Sequence, residues 1–100
     1  MEVTLAKPPA GPAASTRLAV IYLARLRETL GMPGETVDLP VQDADVAALL
    51  AHLRGRGGVF AAELAPGRTF RVAVNHAMAT DATALRDGDE VALLPPVTGG

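Results

Sequence analysis

Leu18, Ala19, Val20, Ile21, Tyr22 and Leu23 form an unbroken apolar run rich in strand formers, which predicts a buried strand over residues 18–23. From residue 24 to residue 30 the chain turns to helix formers and charge, and Gly31 follows. This change predicts a short helix closed by a glycine. Pro33 and Gly34 mark a turn. Glu35, Thr36, Val37, Asp38 and Leu39 alternate polar with apolar, as a half-exposed strand does, and Pro40 ends the alternation. Asp43 or Asp45 is placed to cap a helix in which Val46, Leu49, Leu50 and Leu53 make one apolar stripe. Gly55, Gly57 and Gly58 are expected to stop that helix. Residues 59–67 show no clear period beyond one helical turn at 60–64. Phe70, Val72 and Val74 then alternate with Arg71, Ala73 and Asn75, a strand pattern. Asn75 and His76 suit a tight turn into a short strand over residues 77–80. Asp87 and Gly88 make another turn, and Pro95 and Pro96 stop a last strand over residues 90–94.

The predicted order is strand, short helix, strand, long helix, strand, short strand, strand. One long helix packed across one face of a mixed sheet buries these stripes together. That order fits an α+β, ubiquitin-like β-grasp fold over residues 17–94. Residues 1–16 hold three prolines, a glycine and several alanines, which build no packable face; a disordered lead-in is expected there. Residues 95–100 are expected to form a flexible Gly-Gly tail.

Composition narrows the function. Apolar residues make up 49% of 100 residues, enough for one globular core. With three aromatics, the core must rest on Leu, Val, Ile and Ala. A formal net charge of -2 leaves no electrostatic footprint for nucleic acid. The absence of cysteine removes disulfides, thiolate catalysis and cysteine-ligated metal. No apolar run approaches the roughly 20 residues that span a bilayer. The start of the chain lacks a basic segment followed by a hydrophobic one, so a cytoplasmic protein is expected.

Most side chains that carry chemistry have ordinary explanations. His52 and His76 are distant and without cysteine partners, so no metal site is expected. Arg54, Arg56, Arg68 and Arg71 are assigned to a solvated face. Asp43, Asp45, Asp87, Asp89 and Glu90 are assigned to caps and turns. The stretch Gly55-Arg56-Gly57-Gly58 lacks the Gly-Lys-Ser/Thr ending of a phosphate loop.

The C-terminal segment is different. Val91, Ala92, Leu93 and Leu94 are apolar on both faces of a strand, whereas a one-sided sheet should be polar outside. Val91 and Leu93, with Val74, are therefore read as part of a hydrophobic docking patch beside the tail. Pro95 and Pro96 favour an extended path away from the body. The six residues from Pro95 onward span at most about 20 Å, at roughly 3.3–3.6 Å each. Residues 91–100 carry no charged side chain, so threading them into a tunnel desolvates only backbone, the Thr98 hydroxyl and the terminal carboxylate. Gly99 and Gly100 have no Cβ, which allows a narrow tunnel and leaves the last carbonyl open to attack. A C-terminal carboxylate, with a pKa of roughly 3.3–3.7, is ionised and inert at neutral pH, so it must be activated.

The run Asp87-Gly88-Asp89-Glu90-Val91, followed by Pro95-Pro96-Val97-Thr98-Gly99-Gly100, resembles the small subunits of molybdopterin synthase, the MoaD-like sulfur carriers of the MoaD/ThiS family. The resemblance covers residues 17–100. Residues 22–28 look like that family's first strand running into its short helix. The resemblance implies a sulfur carrier with no permanently bound cofactor. Its Gly100 is adenylated with ATP by an adenylyltransferase similar to the ubiquitin-activating enzyme. A sulfur donor enzyme then converts the transient glycyl adenylate to a thiocarboxylate. Pro95, Pro96, Val97, Thr98 and Gly99 would lie in the large synthase subunit, in an assembly of two small and two large subunits. There the thiocarboxylate gives its sulfur to cyclic pyranopterin monophosphate, and the catalytic side chains belong to the large subunit. The alternatives are a sulfur carrier for thiamine-thiazole formation, a ubiquitin-like modifier joined to lysines through Gly100, and a passive β-grasp interaction module for which the tail is irrelevant.

Overall fold

The computed structural model describes residues 15–40, 44–67 and 70–95. The lead-in up to residue 14, the candidate cap Asp43, Arg68 and residues 96–100 lie outside that set. The elements are β1 (Thr16–Tyr22), α1 (Ala24–Leu30), β2 (Gly34–Leu39), α2 (Val46–Arg54), α3 (Gly58–Glu63), β3 (Arg71–Val74), β4 (Ala77–Ala79) and β5 (Glu90–Leu94).

Alternation along β1 sends Thr16, Leu18, Val20 and Tyr22 inward, all buried, while Arg17 and Ala19 face out. The first strand thus takes in Thr16, which the sequence had placed in the lead-in. β5 lies at the centre of the sheet, whose order is β2-β1-β5-β3-β4. It runs parallel to β1 and antiparallel to β3. β2 closes one edge antiparallel to β1, and β4 closes the other antiparallel to β3. Asn75 and His76 join β3 to β4 with φ of 49° and 74°, the left-handed pair of a type I′ hairpin turn. At Gly34 an added Cβ would stand 2.6 Å from the Val20 carbonyl oxygen, so only glycine lets β2 open this close to β1.

The helices cover the inner face of this sheet. α1 stops where Gly31 takes φ 80° and returns its N–H to the Arg27 carbonyl. Asp45 caps α2, its carboxylate accepting from the Ala48 N–H at 2.8 Å. The α2 stripe of Val46, Leu49, Leu50 and Leu53 is buried against Leu18, Val20, Val37, Leu39, Val72, Val91 and Leu93. Each such side chain contributes about 1.5–3 kcal/mol by leaving water. The 80–85 loop is strapped to the start of α2 by Val46 N–H to Thr83 O at 3.1 Å and Leu85 N–H to Ala44 O at 2.8 Å. The architecture is the ubiquitin-like β-grasp expected from the element order.

Two expectations change. The long helix is nine residues, and α3 follows it as a separate helix. Gly58, expected as part of the helix stop, instead opens α3 behind Gly57, both with positive φ. The helix lets Phe60 and Leu64 reach the core, which the predicted single turn had only partly anticipated.

Candidate functional site

The C-terminal segment leaves from the end of β5, and that end is clamped on both sides. Leu93 pairs with Tyr22 on β1 and with Val72 on β3, and Leu94 pairs with Arg71. One step past β1, the Leu23 N–H donates to the Leu93 carbonyl at 3.1 Å. Pro95, with no N–H to continue a ladder, is the first residue beyond the sheet. Pro96, Val97, Thr98, Gly99 and Gly100, the other expected tail-site residues, lie outside the described residues.

The register of β5 is set at its other end. Asp87 Oδ1 accepts from the Arg17 N–H at 2.8 Å, and the Gly88 N–H donates to the Arg17 carbonyl at 2.8 Å. Asp89 Oδ2 accepts from the Arg86 N–H at 2.8 Å. Asn75 then ties this turn to the β3–β4 hairpin: its Nδ2 donates to Asp89 Oδ1 at 2.9 Å, and its Oδ1 accepts from the Glu90 N–H at 3.0 Å. The acidic residues of this stretch serve the turn, as expected. Asn75, whose side chain the sequence reading passed over, is the link that joins two turns.

Val91 and Leu93 are not surface residues. Both are fully buried between the sheet and the helices, which corrects their assignment to a docking patch. Alternation sends their neighbours outward instead. Ladder pairing sets Ile21, Ala92, Ala73 and Met78 in one row across β1, β5, β3 and β4. Leu94 stands beside that row, at the root of the tail. Met78 is 62% exposed, and Ile21, Ala73, Ala92 and Leu94 are partly exposed. Val74 belongs with the core, against which it packs partly buried. The apolar character of β5 on both sides thus has two causes: one face is core, and the other carries an open apolar row bordered by Glu90 and Arg71.

A polar cluster lies at the same end of the sheet as the tail. Tyr22 Oη donates to Glu35 Oε2 at 2.6 Å. Arg56 forks onto both oxygens of that carboxylate, at 2.6 and 3.0 Å, and lies 4.7 Å above the Phe60 ring. Phe60 meets Tyr22 edge-on, with centroids 6.1 Å apart. Burial alone would raise the Glu35 pKa, but the Arg56 and Tyr22 hydrogen bonds outweigh it and hold the carboxyl below its ordinary value. Burial, then the Glu35 hydrogen bond, push the Tyr22 phenol up. Arg56 is therefore a structural cation and not part of a solvated face. Arg54 also departs from that assignment, since its Nε donates to the Leu64 carbonyl. Arg71 is exposed as expected. His52 is on α2, and His76 is an exposed turn residue. Among the described residues no three His, Asp or Glu side chains gather to hold a metal. Nor is any helix there long and apolar enough to cross a membrane.

The end of β5 is thus paired on both sides, with Leu94 and its cross-strand partner Arg71 on the outer face beside the row of Ile21, Ala92, Ala73 and Met78. The comparisons agree with that geometry. A molybdopterin synthase sulfur carrier subunit from Haemophilus influenzae is 35% identical over 83 residues, covering 83% of this chain and 99% of that protein. The subunit of that name from Escherichia coli is 36% identical over 85 residues, with 83% and 99% covered. Among solved structures, the putative molybdopterin converting factor subunit 1 of Pyrococcus furiosus superposes with a TM-score of 0.70 at 27% identity, covering 82% of this chain and 99% of that one. Small archaeal modifier protein 1 of H. volcanii gives 0.70 at 28% identity, with 82% and 99% covered. A complex of subunits 1 and 2 of the molybdopterin-converting factor from Helicobacter pylori gives 0.55 at 27% identity, with 85% and 100% covered. Residues 20–100, from within β1 through the Gly-Gly tail, match one family along their whole length, and the chain belongs to the ThiS family.

Proposed function

We propose that this chain is the sulfur carrier subunit of a molybdopterin synthase. The observation that carries the reading is the clamped end of β5, followed in the sequence by an uncharged segment ending in Gly99 and Gly100, beside the outer row of Ile21, Ala92, Ala73 and Met78. The relatives named above, whose whole length this chain matches, support it. In this reading a cytoplasmic adenylyltransferase spends ATP to convert the Gly100 carboxylate to a glycyl adenylate. A sulfur donor enzyme displaces AMP and leaves a thiocarboxylate. The strip of Ile21, Ala73, Ala92 and Leu94 docks on the large subunit, and Pro95, Pro96, Val97, Thr98 and Gly99 pass into its active site. There the sulfur goes to cyclic pyranopterin monophosphate, with acid and base groups supplied by the large subunit. Two carriers serve a dimer of large subunits, and the dithiolene product requires a second delivery.

Intact mass after incubation with activating enzyme, ATP and sulfur donor tests the reading. Replacement of one oxygen by sulfur at Gly100, followed by its loss to the pterin precursor, is the expected result. An unchanged mass, under conditions that convert a known carrier, overturns it. The likeness to an archaeal modifier protein favours a second reading, attachment to other proteins through Gly100; lysine adducts in a lysate would support it. The thiazole branch predicts co-purification with a thiazole synthase in place of the large subunit.

A further inference from the structure

The chain has nine basic residues besides histidine, and one of them, Lys7, is a lysine. From Arg17 to Arg86 every cation is an arginine. Pairing explains some of these. Arg56 forks onto Glu35, Arg17 Nε meets Asp38 Oδ1 at 2.8 Å, and Arg54 caps a carbonyl. It does not explain Arg71, which is exposed and stands opposite Leu94 at the root of the tail. Arg25, on the first turn of α1 at the same end of the sheet, pairs with Glu63 Oε1 at 3.4 Å. Six residues from Pro95 span at most about 20 Å, a length that takes in Arg71, the cross-strand partner of Leu94.

We propose that the folded body uses guanidinium in place of ammonium so that the activated C-terminus cannot acylate it, with Arg71 the position where this matters most. The inference rests on the activation of Gly100 proposed above. An activated glycyl carbonyl is open to amines. A lysine nitrogen attacks the carbonyl carbon, a C–N bond forms, the bond to the leaving group breaks, and the proton lost by the amine goes to solvent. The product is an isopeptide and a dead carrier. At pH 8 roughly one lysine amine in a few hundred is unprotonated, against about one guanidine in tens of thousands. Delocalisation makes that rare neutral guanidine a poor nucleophile as well. A lysine at position 71 would meet the carbonyl at the high local concentration of an intramolecular reaction.

The test installs the electrophile chemically, so it does not depend on any activating enzyme. The full chain is prepared with a C-terminal thioester at Gly100 by intein cleavage, held at pH 8, and read by intact mass and peptide mapping. In the wild type, hydrolysis to the acid is expected, with any amide confined to Lys7 and the α-amino group. Arg71→Lys is expected to form an isopeptide at position 71 whose yield does not change on dilution, and Arg25→Lys serves as a second site. Amides or esters inside the wild-type body overturn the proposal. So does an Arg71→Lys thioester that only hydrolyses, because the guanidinium would then protect nothing. Failure of enzymatic adenylation would instead overturn the carrier reading and leave this result standing.

Discussion

The Tyr22 hydroxyl donates to Glu35 across 2.6 Å, joining the last residue of β1 to the second residue of β2 at the end of the sheet from which the tail departs. Arg56 completes the carboxylate from α2's C-terminal side and stacks on Phe60. Arg56→Ala is expected to cost about 1–3 kcal/mol at pH 7, because it leaves a half-buried carboxylate short of its charged partner. The pH dependence follows from the lowered Glu35 pKa. A carboxylate held lower in the folded state than in the unfolded one stabilises above its unfolded value. That contribution is lost as pH falls through the folded value. Urea titrations at pH 7 and pH 3 should therefore show the gap between wild type and variant shrinking in acid. An equal gap at both pH values would show that the carboxylate charge is not involved.

Leu93 and Ala92 are neighbours on β5 with opposite roles. Leu93→Ala is expected to cost about 2–5 kcal/mol, as truncation in a packed core does. Ala92→Asp should cost less, about 1 kcal/mol, the span of strand preferences at a half-exposed position, while weakening capture of the large subunit. Thermal denaturation paired with a pull-down separates them. Equal destabilisation by both would deny that the outer strip is surface.

These two residues also show what the sequence made legible. The bounds of β5 were readable because Pro95 cannot extend a ladder. The hairpin at Asn75 and His76 and the helix stop at Gly31 were readable because left-handed backbone selects particular residue types. Which face of β5 is core was not readable, since a strand apolar on both sides has no period to break the tie. The Tyr22–Glu35–Arg56 cluster was invisible for another reason. It joins positions 13 and 21 apart, and no local pattern encodes side-chain pairing at that range. α3 was obscured by Gly57 and Gly58, which look like a stop and act as an entry.

Asn75 does two jobs, holding φ at 49° and bridging Asp89 to Glu90. Asn75→Gly keeps the turn and loses the bridge, with an expected cost of about 1 kcal/mol. Asn75→Ala loses both and should cost about 1–3 kcal/mol more, the usual strain of a non-glycine residue held there. Denaturant midpoints for the two variants give the order. Alanine no worse than glycine would show that the bridge alone matters.

Gly34→Ala should separate β2 from β1. The new Cβ would stand 2.6 Å from the Val20 carbonyl oxygen, which is backbone and cannot swing away. A cost of about 1–3 kcal/mol is expected, in the range of overpacked sites. Hydrogen exchange should rise first at Tyr22, whose N–H donates to the Pro33 carbonyl at 2.9 Å beside that contact.

Deleting Gly100, or adding one residue after it, is expected to abolish sulfur transfer and leave the melting temperature nearly unchanged. The ladder of β5 ends at Leu94, and among the described residues Val91 and Leu93 are the core side chains of β5. No described core contact therefore depends on the last residue. In the proposed carrier reading the chemistry depends on it, because the partner's site would receive the Gly100 carbonyl at a set distance from the strand end. An added residue moves that carbonyl by roughly 3.3–3.6 Å, more than a reacting geometry tolerates. A large fall in melting temperature for either variant would show that the tail is part of the fold. Retained transfer by the extended variant would show that the distance from Leu94 does not set delivery.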